Sequence, residues 1–266
     1  MTGVQTCALP ISFPVVKRII EKITGGSCEY KSPTDMGVNM AGYGIIDDEV
    51  CREAACQEIV RRVLIAQCDY KKGKVSEDSQ ARIKLLMEEV GAHIEDRRVV
   101  TAAREYAALK SACDKKYENV VVMALELPDG QIVTGRSSKR MAAGAALILN
   151  GIKVLAGMAD EVHLLSPHVL NSICQFKKDI MCQEKSSLNV EEVLNALAIS
   201  SGANPSAEVA LQKLPLIKGC KAHSTAILNE KDEQTLSDLG IDVTCDPEYS
   251  TTNLYYRSSK DRKSVV

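Results

Sequence analysis

The hydrophobic period of the chain changes near Asn119, and this change constrains the fold more than any other feature of the sequence. Between residues 47 and 113, apolar side chains recur every three or four positions, as they do on the buried faces of helices. Residues 120–127 form an apolar run typical of a buried strand, and the turn-forming residues 128–130 lead into a second strand at 131–135. The sequence therefore predicts a helical region that is followed by an α/β region.

The first region is predicted to contain three helices, after an initial helix at 13–23 and a loop at 30–44. They span residues 48–70, 76–90 and 95–112, and the second has Ser76 as its cap and Gly91 as a left-handed stop. The spacing predicts two buried stripes, which are Ala55, Ile59, Val63 and Ala66 on the first helix and Ile83, Leu86, Met87 and Val90 on the second.

In the second region, predicted strands alternate with helices. Further strands are expected at 161–165, 220–228 and 241–244. An almost entirely apolar helix is expected from Ser137 or Ser138 to Leu155, and others begin at Ser166-Pro167, at Asn189 with its capping partner Glu192, at Asn204-Pro205 and at Glu230. This alternation predicts an α/β (α+β) fold in which a helical subdomain precedes a three-layer α/β/α mixed sheet.

The expected organisation has four parts. Residues 13–116 form a loop plus helical subdomain, 117–256 form the α/β domain, and 257–266 form a tail. Residues 1–12 and the last six residues look like translated sequencing-adapter DNA, and we exclude them from the reasoning on the fold. The gene fragment proper is then expected to lack an upstream portion.

Charge and cysteine usage exclude several classes of partner. The chain has 33 lysine and arginine residues against 35 acidic residues, so its formal net charge of -2 offers no bulk attraction to nucleic acid or to an anionic membrane. No apolar run approaches the roughly 18 residues of a membrane span. The ten cysteines include no Cys-x-x-Cys pair, which favours free thiols in a reducing cytoplasm over a disulfide or zinc framework.

The segment from Lys31 to Asn39 is the first candidate ligand site. It offers a cation at Lys31, hydroxyls at Ser32 and Thr34, a carboxylate at Asp35 and an amide at Asn39. Such a set suits a small polar ligand or a phosphate, with Lys31 as the point charge. The alternative, equally open, is a loop in which Asp35 and Thr34 satisfy their own backbone.

The second candidate is the pair His223 and Ser224, adjacent on the predicted strand 220–228. Side chains alternate along a strand, so the two point to opposite faces and do not form a nucleophile and base pair. His223 is either a core histidine with satisfied hydrogen bonds or a ligand or catalytic contact. His163 and His168 are weaker candidates for metal binding, because histidines at strand ends are usually packed or exposed.

Four segments carry a family resemblance: Tyr30-Lys-Ser-Pro-Thr-Asp-Met-Gly-Val-Asn39, Leu125-Glu-Leu-Pro-Asp-Gly130, Asp160-Glu-Val-His-Leu-Leu-Ser-Pro167 and Gly219-Cys-Lys-Ala-His-Ser224. Together they resemble the carboxy-terminal half of the bacterial family called domain of unknown function eighteen-forty-six, from Phe13 to about Tyr256. The resemblance implies a protein about twice as long, whose missing amino-terminal half is Rossmann-like with a glycine-rich phosphate loop. A nucleotide cofactor is then expected for the intact protein alone.

The resemblance also implies that the carboxy-terminal domain has a topology similar to the cytidine-deaminase fold. Zinc deaminases need His or Cys two residues before Glu at one helix start and Pro-Cys-x-x-Cys at another. Here the first helix has Met141-Ala-Ala-Gly144, and Pro205 is followed by Ser206 and Val209. We therefore expect the architecture without zinc or any other metal.

Two functional hypotheses remain. In one, the intact cytoplasmic protein is a nucleotide- or phosphate-ligand-dependent enzyme whose site lies between the missing half and the Lys31 segment. In the other, it is a non-catalytic binding or assembly module. Homo-oligomerisation is compatible with both, and a chain cut from its partner is expected to expose apolar surface and to be poorly soluble.

Overall fold

The computed structural model describes residues 21–23, 25, 48–113, 120–183 and 186–250. The chain divides into two compact units, one of residues 1–55 and one that begins at Cys56. In the first unit, residues 21–23 and 48–55 are helical. The rest of the helix predicted at 13–23 and the predicted loop at 30–44 lie outside the described residues.

The order of elements confirms a mixed α/β fold. The helices are α1 (Asp48–Lys71), α2 (Glu77–Val90), α3 (Arg98–Cys113), α4 (Ala143–Leu155), α5 (Pro167–Asp179), α6 (Val190–Ser201), α7 (Pro205–Gln212) and α8 (Glu230–Asp238). The strands are β1 (Val122–Glu126), β2 (Ile132–Arg136), β3 (Lys221–Ser224) and β4 (Asp242–Cys245). Short 3-10 helices occupy Ile94–Asp96 and Leu214–Ile217.

The four strands form one mixed sheet in the order β2-β1-β3-β4. Strand β1 is antiparallel to both of its neighbours, whereas β3 and β4 are parallel. The hairpin between β1 and β2 turns at Gly130, whose φ of 80° suits a residue without a side chain. The mixed sheet is confirmed, and the likeness to the cytidine-deaminase topology stays a prediction.

Helices cover both faces of the sheet. On one face, Val99 and Ala103 of α3 pack against Val122 and Ala124 of β1. The opposite face is covered by α4, α6 and α8, and its buried cluster includes Met123, Leu125, Leu147, Ile148, Val190, Ala222 and Leu236. Beyond α4, a second cluster joins it to α5, α6 and α7 through Leu149, Ile152, Leu170, Leu188, Leu197 and Ala210. Because successive side chains of β1 point to opposite faces, the strand contributes Val122 and Ala124 to the cluster under α3 and Met123 and Leu125 to the cluster on the opposite face.

Contact between β2 and α4 is close because Gly135 has no side chain. A Cβ atom at this position would lie 2.3 Å from the backbone nitrogen of Leu147 and 2.9 Å from the carbonyl oxygen of Ala143. Both obstacles are backbone atoms, which cannot rotate away. Glycine at 135 thus sets the distance between the sheet and α4.

Three predicted helix starts are confirmed by their caps. Ser166 Oγ accepts a hydrogen bond from the backbone N–H of Val169 at 3.2 Å. Asn189 accepts from the N–H of Glu192 at 2.8 Å while the Glu192 carboxylate accepts from the N–H of Asn189 at 2.9 Å, which completes the capping box. The side chain of Asn204 accepts from the N–H of Ser206. Local sequence sufficed here because each cap reaches only two or three residues ahead.

The predicted start of α4 at Ser137 or Ser138 is wrong, since the helix begins at Ala143. Ser138 Oγ instead accepts from the N–H groups of Arg140 and Met141, which closes a turn. The next residues then pair with a distant segment, since the N–H of Ala142 donates to the carbonyl of Leu188 at 2.8 Å. This pairing delays the helix.

No strand forms at 161–165 within the described residues, and that prediction is wrong. Both carbonyls that a strand would present, at His163 and Leu164, lie 3.3 Å from the side-chain amide of Asn204, which donates to them. A side chain from α7's start therefore takes the place of a neighbouring strand.

The predicted apolar stripes of the first two helices are partly wrong. On α1 the buried residues are Val60, Val63, Leu64, Ala66 and Cys68, whereas Ala55 is exposed and Ile59 half-buried. On α2 none of the predicted positions is buried. The third predicted helix is interrupted at Arg97, which separates the 3-10 turn from α3.

Candidate functional site

The candidate residues of the first segment, Lys31, Ser32, Thr34, Asp35 and Asn39, lie outside the described residues. His223 and Ser224 are the last two residues of β3. Both are fully buried, with no exposed surface. The second candidate pair is therefore closed to solvent.

His223 lies on the face of the sheet that α3 covers. Its cross-strand neighbours are Ala124 on β1 and Thr244 on β4. The ring atom Nδ1 is 3.0 Å from the hydroxyl of Thr244, which is a hydrogen bond. The other ring atom, Nε2, is 3.4 Å from Asp246 Oδ1, but it is not aligned for a hydrogen bond, so we treat this as an electrostatic contact.

Asp246 joins this strand end to helix α3. Arg104 donates from Nη2 to Oδ1 at 2.6 Å and from Nε to Oδ2 at 3.2 Å, which is a bidentate pair. Burial raises the pKa of the Asp246 carboxyl, but His223 and Arg104 lower it by more, and the net result is a pKa of about 2. Asp246 is therefore a carboxylate near pH 7.

Burial is the largest influence on the pKa of His223, and together with the nearby cations Arg104 and Arg97 it lowers this pKa against the opposite influence of Asp246. The imidazole is therefore neutral near pH 7. The Thr244 hydroxyl lies 3.0 Å from the imidazole Nδ1 and 3.3 Å from the carbonyl oxygen of Ala222, to which it can donate, so the direction of the His223–Thr244 hydrogen bond depends on the tautomer of the ring. Nδ1 is hydrogen-bonded to Thr244 and Nε2 faces Asp246, and because the ring has no exposed surface neither nitrogen reaches solvent.

Ser224 is also engaged internally. Its Oγ donates to the carbonyl of Ala226 at 2.7 Å and accepts from the N–H of the same residue at 3.3 Å. Its cross-strand neighbour is Met123, whose side chain lies in the core on the other face of the sheet from His223. The two candidates are neighbours in sequence, but their side chains do not meet.

An ion-pair cluster around the buried Arg97, which sequence reasoning missed, lies beside the same strands. Arg97 is 1% exposed and donates to the Asp242 carboxylate at 3.1 Å and to the carbonyl of Asp242 at 2.8 Å. Arg61 of α1 donates to the same carboxylate at 2.7 Å. Arg97 and Arg61 are separated from Asp242 by 145 and 181 positions in sequence, so no local sequence pattern could predict these ion pairs.

A small open pocket lies at the carboxyl end of β4. Lys72, which follows α1, and Glu233 of α8 form an ion pair of 3.4 Å in its lining, beside Cys68 and Cys245. The thiol of Cys68 donates to the carbonyl of Cys245 at 3.2 Å. Burial raises the pKa of Cys68 to about 12 and that of Cys245 to about 11. Both thiols stay protonated near pH 7 and are poor nucleophiles.

His163 and His168 are exposed, on either side of the cap of α5. Within the residues that the structure describes, no three His, Cys, Asp or Glu side chains converge as a metal site. Zinc deaminases carry a metal ligand at one helix start, and the corresponding segment here is Met141–Gly144. This segment is tightly packed, since a Cβ at Gly144 would lie 2.9 Å from a methyl of Val190. Among the described helices, none has the length and apolar composition to cross a bilayer.

The chain has close relatives among bacterial proteins of unassigned function. It is 54% identical over 247 residues to proteins named UPF0371 from Clostridium botulinum strains Langeland and Okra, and 53% identical over 248 residues to the one from strain Alaska E43. Each match covers 93% of this chain and 49% of the relative. The chain therefore spans about half the length of the curated relatives it matches.

Two family models match in succession. Residues 11–91 match the N-terminal domain of unknown function DUF1846, and residues 95–255 match its C-terminal domain. This corrects the expectation that the chain is the carboxy-terminal half alone, because the N-terminal domain is represented too. The adapter origin expected for the two ends finds no support in these matches and stays a prediction. The matches over both domains show that the chain belongs to the DUF1846 family.

Proposed function

We propose that the unit from Cys56 onward is a non-catalytic binding or assembly module of a longer protein. The observation that supports this is the burial of His223 and Ser224, which have no exposed surface, while Nδ1 of the histidine and Oγ of the serine are hydrogen-bonded within the protein. A general base or nucleophile must reach its substrate within hydrogen-bond distance. Neither residue can do so without local unfolding of β3.

The polar residues instead hold the layers together. Arg104 ties α3 to the end of β4 through Asp246, and Arg97 ties the start of α3 to β3 and β4. Buried, hydrogen-bonded networks of this kind favour one rigid arrangement over alternatives. A rigid platform is what a docking module requires, because less ordering entropy is lost when it binds.

A second candidate function concerns the segment from Lys31 to Asn39. Its cation, hydroxyls, carboxylate and amide favour a small polar or phosphorylated ligand, and the segment lies within the match to the N-terminal family domain. Under this proposal the intact protein is a nucleotide- or phosphate-dependent enzyme, and the α/β unit is its scaffold. The two proposals agree on the role of His223 and differ on whether a ligand exists.

The finer assignment of the sheet to a cytidine-deaminase-like topology, and a cytoplasmic location, are also proposals. A mixed sheet with one antiparallel strand and helices on both faces supports the first. Superposition of a crystal structure of a full-length relative on a deaminase tests it, and a different strand order would refute it.

Calorimetric titration of this chain and of the full-length Clostridium relative with ATP, GTP, NAD and inorganic phosphate tests the function. The variants are His223→Asn, with the exposed His163→Asn as its matched control, and Lys31→Ala combined with Asp35→Asn. We expect His223→Asn to lower Tm by about 5 °C, through the loss of buried contacts, and to leave any ligand affinity unchanged.

Binding that is lost in the Lys31 and Asp35 variant, at unchanged Tm, favours the second candidate. Absence of binding in every protein favours the assembly module. If folded His223→Asn loses a ligand that the wild type binds, His223 contacts that ligand and the scaffold role is wrong. His163→Asn controls for the chemical change, because it makes the same substitution on the surface.

A further inference from the structure

His223 is the one histidine of the chain that is shielded from water. The chain has four histidines, and the other three, His93, His163 and His168, are exposed. The ring of His223 has no exposed surface, and its Nε2 has no hydrogen-bond partner among the described residues, although Asp246 Oδ1 lies 3.4 Å away. Since a charge that is taken out of water loses its hydration, this position favours the neutral ring.

The charges around His223 also oppose its protonation. The charged groups that face the ring come from three places, which are Asp246 after β4, Arg104 on α3 and Arg97 before α3, while the neighbouring residues on β1 and β4 are uncharged. Arg104 donates at 2.6 Å to Oδ1 of Asp246, the oxygen that faces the ring, so this oxygen already has a cationic donor. A protonated ring would be a third cation beside this carboxylate.

The part of the fold that depends on this arrangement is the segment of residues 242–250. It contains β4, which is the last strand of the sheet and can separate from β3 without disturbing β1. Asp246 binds it to α3. Two more contacts bind it to α1, because the thiol of Cys68 donates to the carbonyl of Cys245 at 3.2 Å and the hydroxyl of Tyr249 donates to the carbonyl of Lys71 at 3.1 Å.

We propose that His223 makes residues 242–250 a pH-sensitive latch, which the neutral ring holds closed and which opens when the ring takes up a proton from solvent. The open state binds more protons than the closed state, because a ring in water regains its ordinary pKa of about 6.5. Opening therefore increases as pH falls below this value, and it levels off once the closed state is protonated too. The inference adds a response to acid to the proposed scaffold role of His223, and it rests on the same burial.

Backbone hydrogen exchange at pH 7 and pH 5, corrected for intrinsic exchange rates, measures the opening. We expect the opening equilibrium of residues 242–250 to rise about fivefold or more, since a step that takes up one proton changes by at most about tenfold per pH unit. Asp246, with a pKa of about 2, stays ionised over this range and cannot cause the change. Helix α5, which packs in the other core cluster, is the internal control. An equal rise in α5 would overturn the proposal.

Substitution of the ring separates the latch from ordinary packing. His223→Asn should raise the opening of residues 242–250 at pH 7, because buried contacts are lost, and should remove its dependence on pH between 7 and 5. His163→Asn, the same change at an exposed position, should keep the response of the wild type. If His223→Asn responds to acid as the wild type does, the latch is wrong.

Thiol labelling supplies a readout in the wild type alone. Cys68 is 6% exposed and is bonded to the latch, whereas Cys51 is exposed and serves as the reference. Dithiodipyridine reacts with thiols in acid as well as at neutral pH, and mass spectrometry of peptides measures the modified fraction of each. The rate at Cys68 relative to Cys51 should rise about fivefold or more from pH 7 to pH 5. A constant ratio would overturn the proposal.

These outcomes are separate from those of the proposed function. A ligand contact at His223 would refute the non-catalytic role without changing the response of residues 242–250 to acid. Opening that is independent of pH would refute the latch and leave the scaffold role of His223 intact.

Discussion

Asp242 is the counter-ion of the buried Arg97, and Asp242→Asn therefore tests what this ion pair contributes to stability. Arg97 is 1% exposed, and the Asp242 carboxylate is its anionic partner at 3.1 Å. In the variant, the guanidinium keeps the carbonyls of Asp242 and Ala222 as acceptors but loses its counter-charge. Arg61, which shares the carboxylate, is 36% exposed and can turn to water.

The expected cost follows from burial. Removal of one partner from a buried ion pair destabilises a protein by roughly 3–5 kcal/mol, whereas an exposed pair contributes about 1 kcal/mol or less. Since the Asp242 side chain is 32% exposed and two carbonyls remain, we expect about 3 kcal/mol. The ion pair between Arg98 and Glu126, at 2.8 Å, provides the matched control. Because Arg98 is 62% exposed, Glu126→Gln should lower the free energy of unfolding by less than about 1 kcal/mol.

Urea unfolding at pH 7, followed by far-ultraviolet circular dichroism, measures both variants. The double variant Arg97→Met/Asp242→Asn also removes the buried charge, so it should recover about 1 kcal/mol or more relative to Asp242→Asn. Added salt should weaken the exposed pair and leave the buried one nearly unchanged. If Asp242→Asn and Glu126→Gln cost the same, Arg97 does not depend on its carboxylate and the reasoning fails.

Three further predictions concern pH, packing and capping. Asp246 has a pKa of about 2 in the folded protein against 3.8 for the free group, so its stabilising contribution of roughly 2 kcal/mol is complete above pH 4 and is lost as pH falls through 2. The stability difference between wild type and Asp246→Asn should shrink over that window, and a constant difference would contradict the assignment. Gly135→Ala should cost about 2 kcal/mol or more, since its Cβ would overlap the backbone of α4, whereas Gly202→Ala, with its nearest atom at 3.6 Å, should be nearly neutral in the same urea assay. Asn189→Ala should cost about 1 kcal/mol because it removes a side-chain cap; Ser76→Ala, at a cap without such a bond, should cost almost nothing, and equal losses would refute the role of the capping box.

The features that sequence predicted well depend on neighbours within a few positions. The hairpin at Gly130, the cap at Ser166 and the capping box at Asn189 all follow from short-range chemistry. The pattern of residues 161–165 predicted a strand, but the side chain of Asn204, forty positions away, donates to the carbonyl of Leu164, and no strand pairs with this segment in the described residues. The local spacing of apolar residues carries no information on a hydrogen bond from so distant a residue.

The site was harder to predict for the same reason. Alternation along β3 correctly separated the directions of His223 and Ser224, since it depends on strand geometry alone. The partners of His223 are Thr244 and Asp246, which approach it only when β4 pairs with β3. Arg97 and Arg98 are adjacent residues of the same type, and only tertiary packing makes the first buried and the second exposed.

The order of strands has a consequence for synthesis on the ribosome. β1 lies between β2, its neighbour in the chain, and β3, which is made about a hundred codons later. The hairpin of β1 and β2 can thus form early, but the edge of β1 that pairs with β3 stays unpaired in the nascent chain until β3 emerges. The ion pair between Arg61 and Asp242 forms later still, because Asp242 lies on β4. During that interval the unpaired edge of β1 is exposed to other growing chains, so slow translation or limited chaperone supply should reduce the yield of this protein more than its final stability suggests.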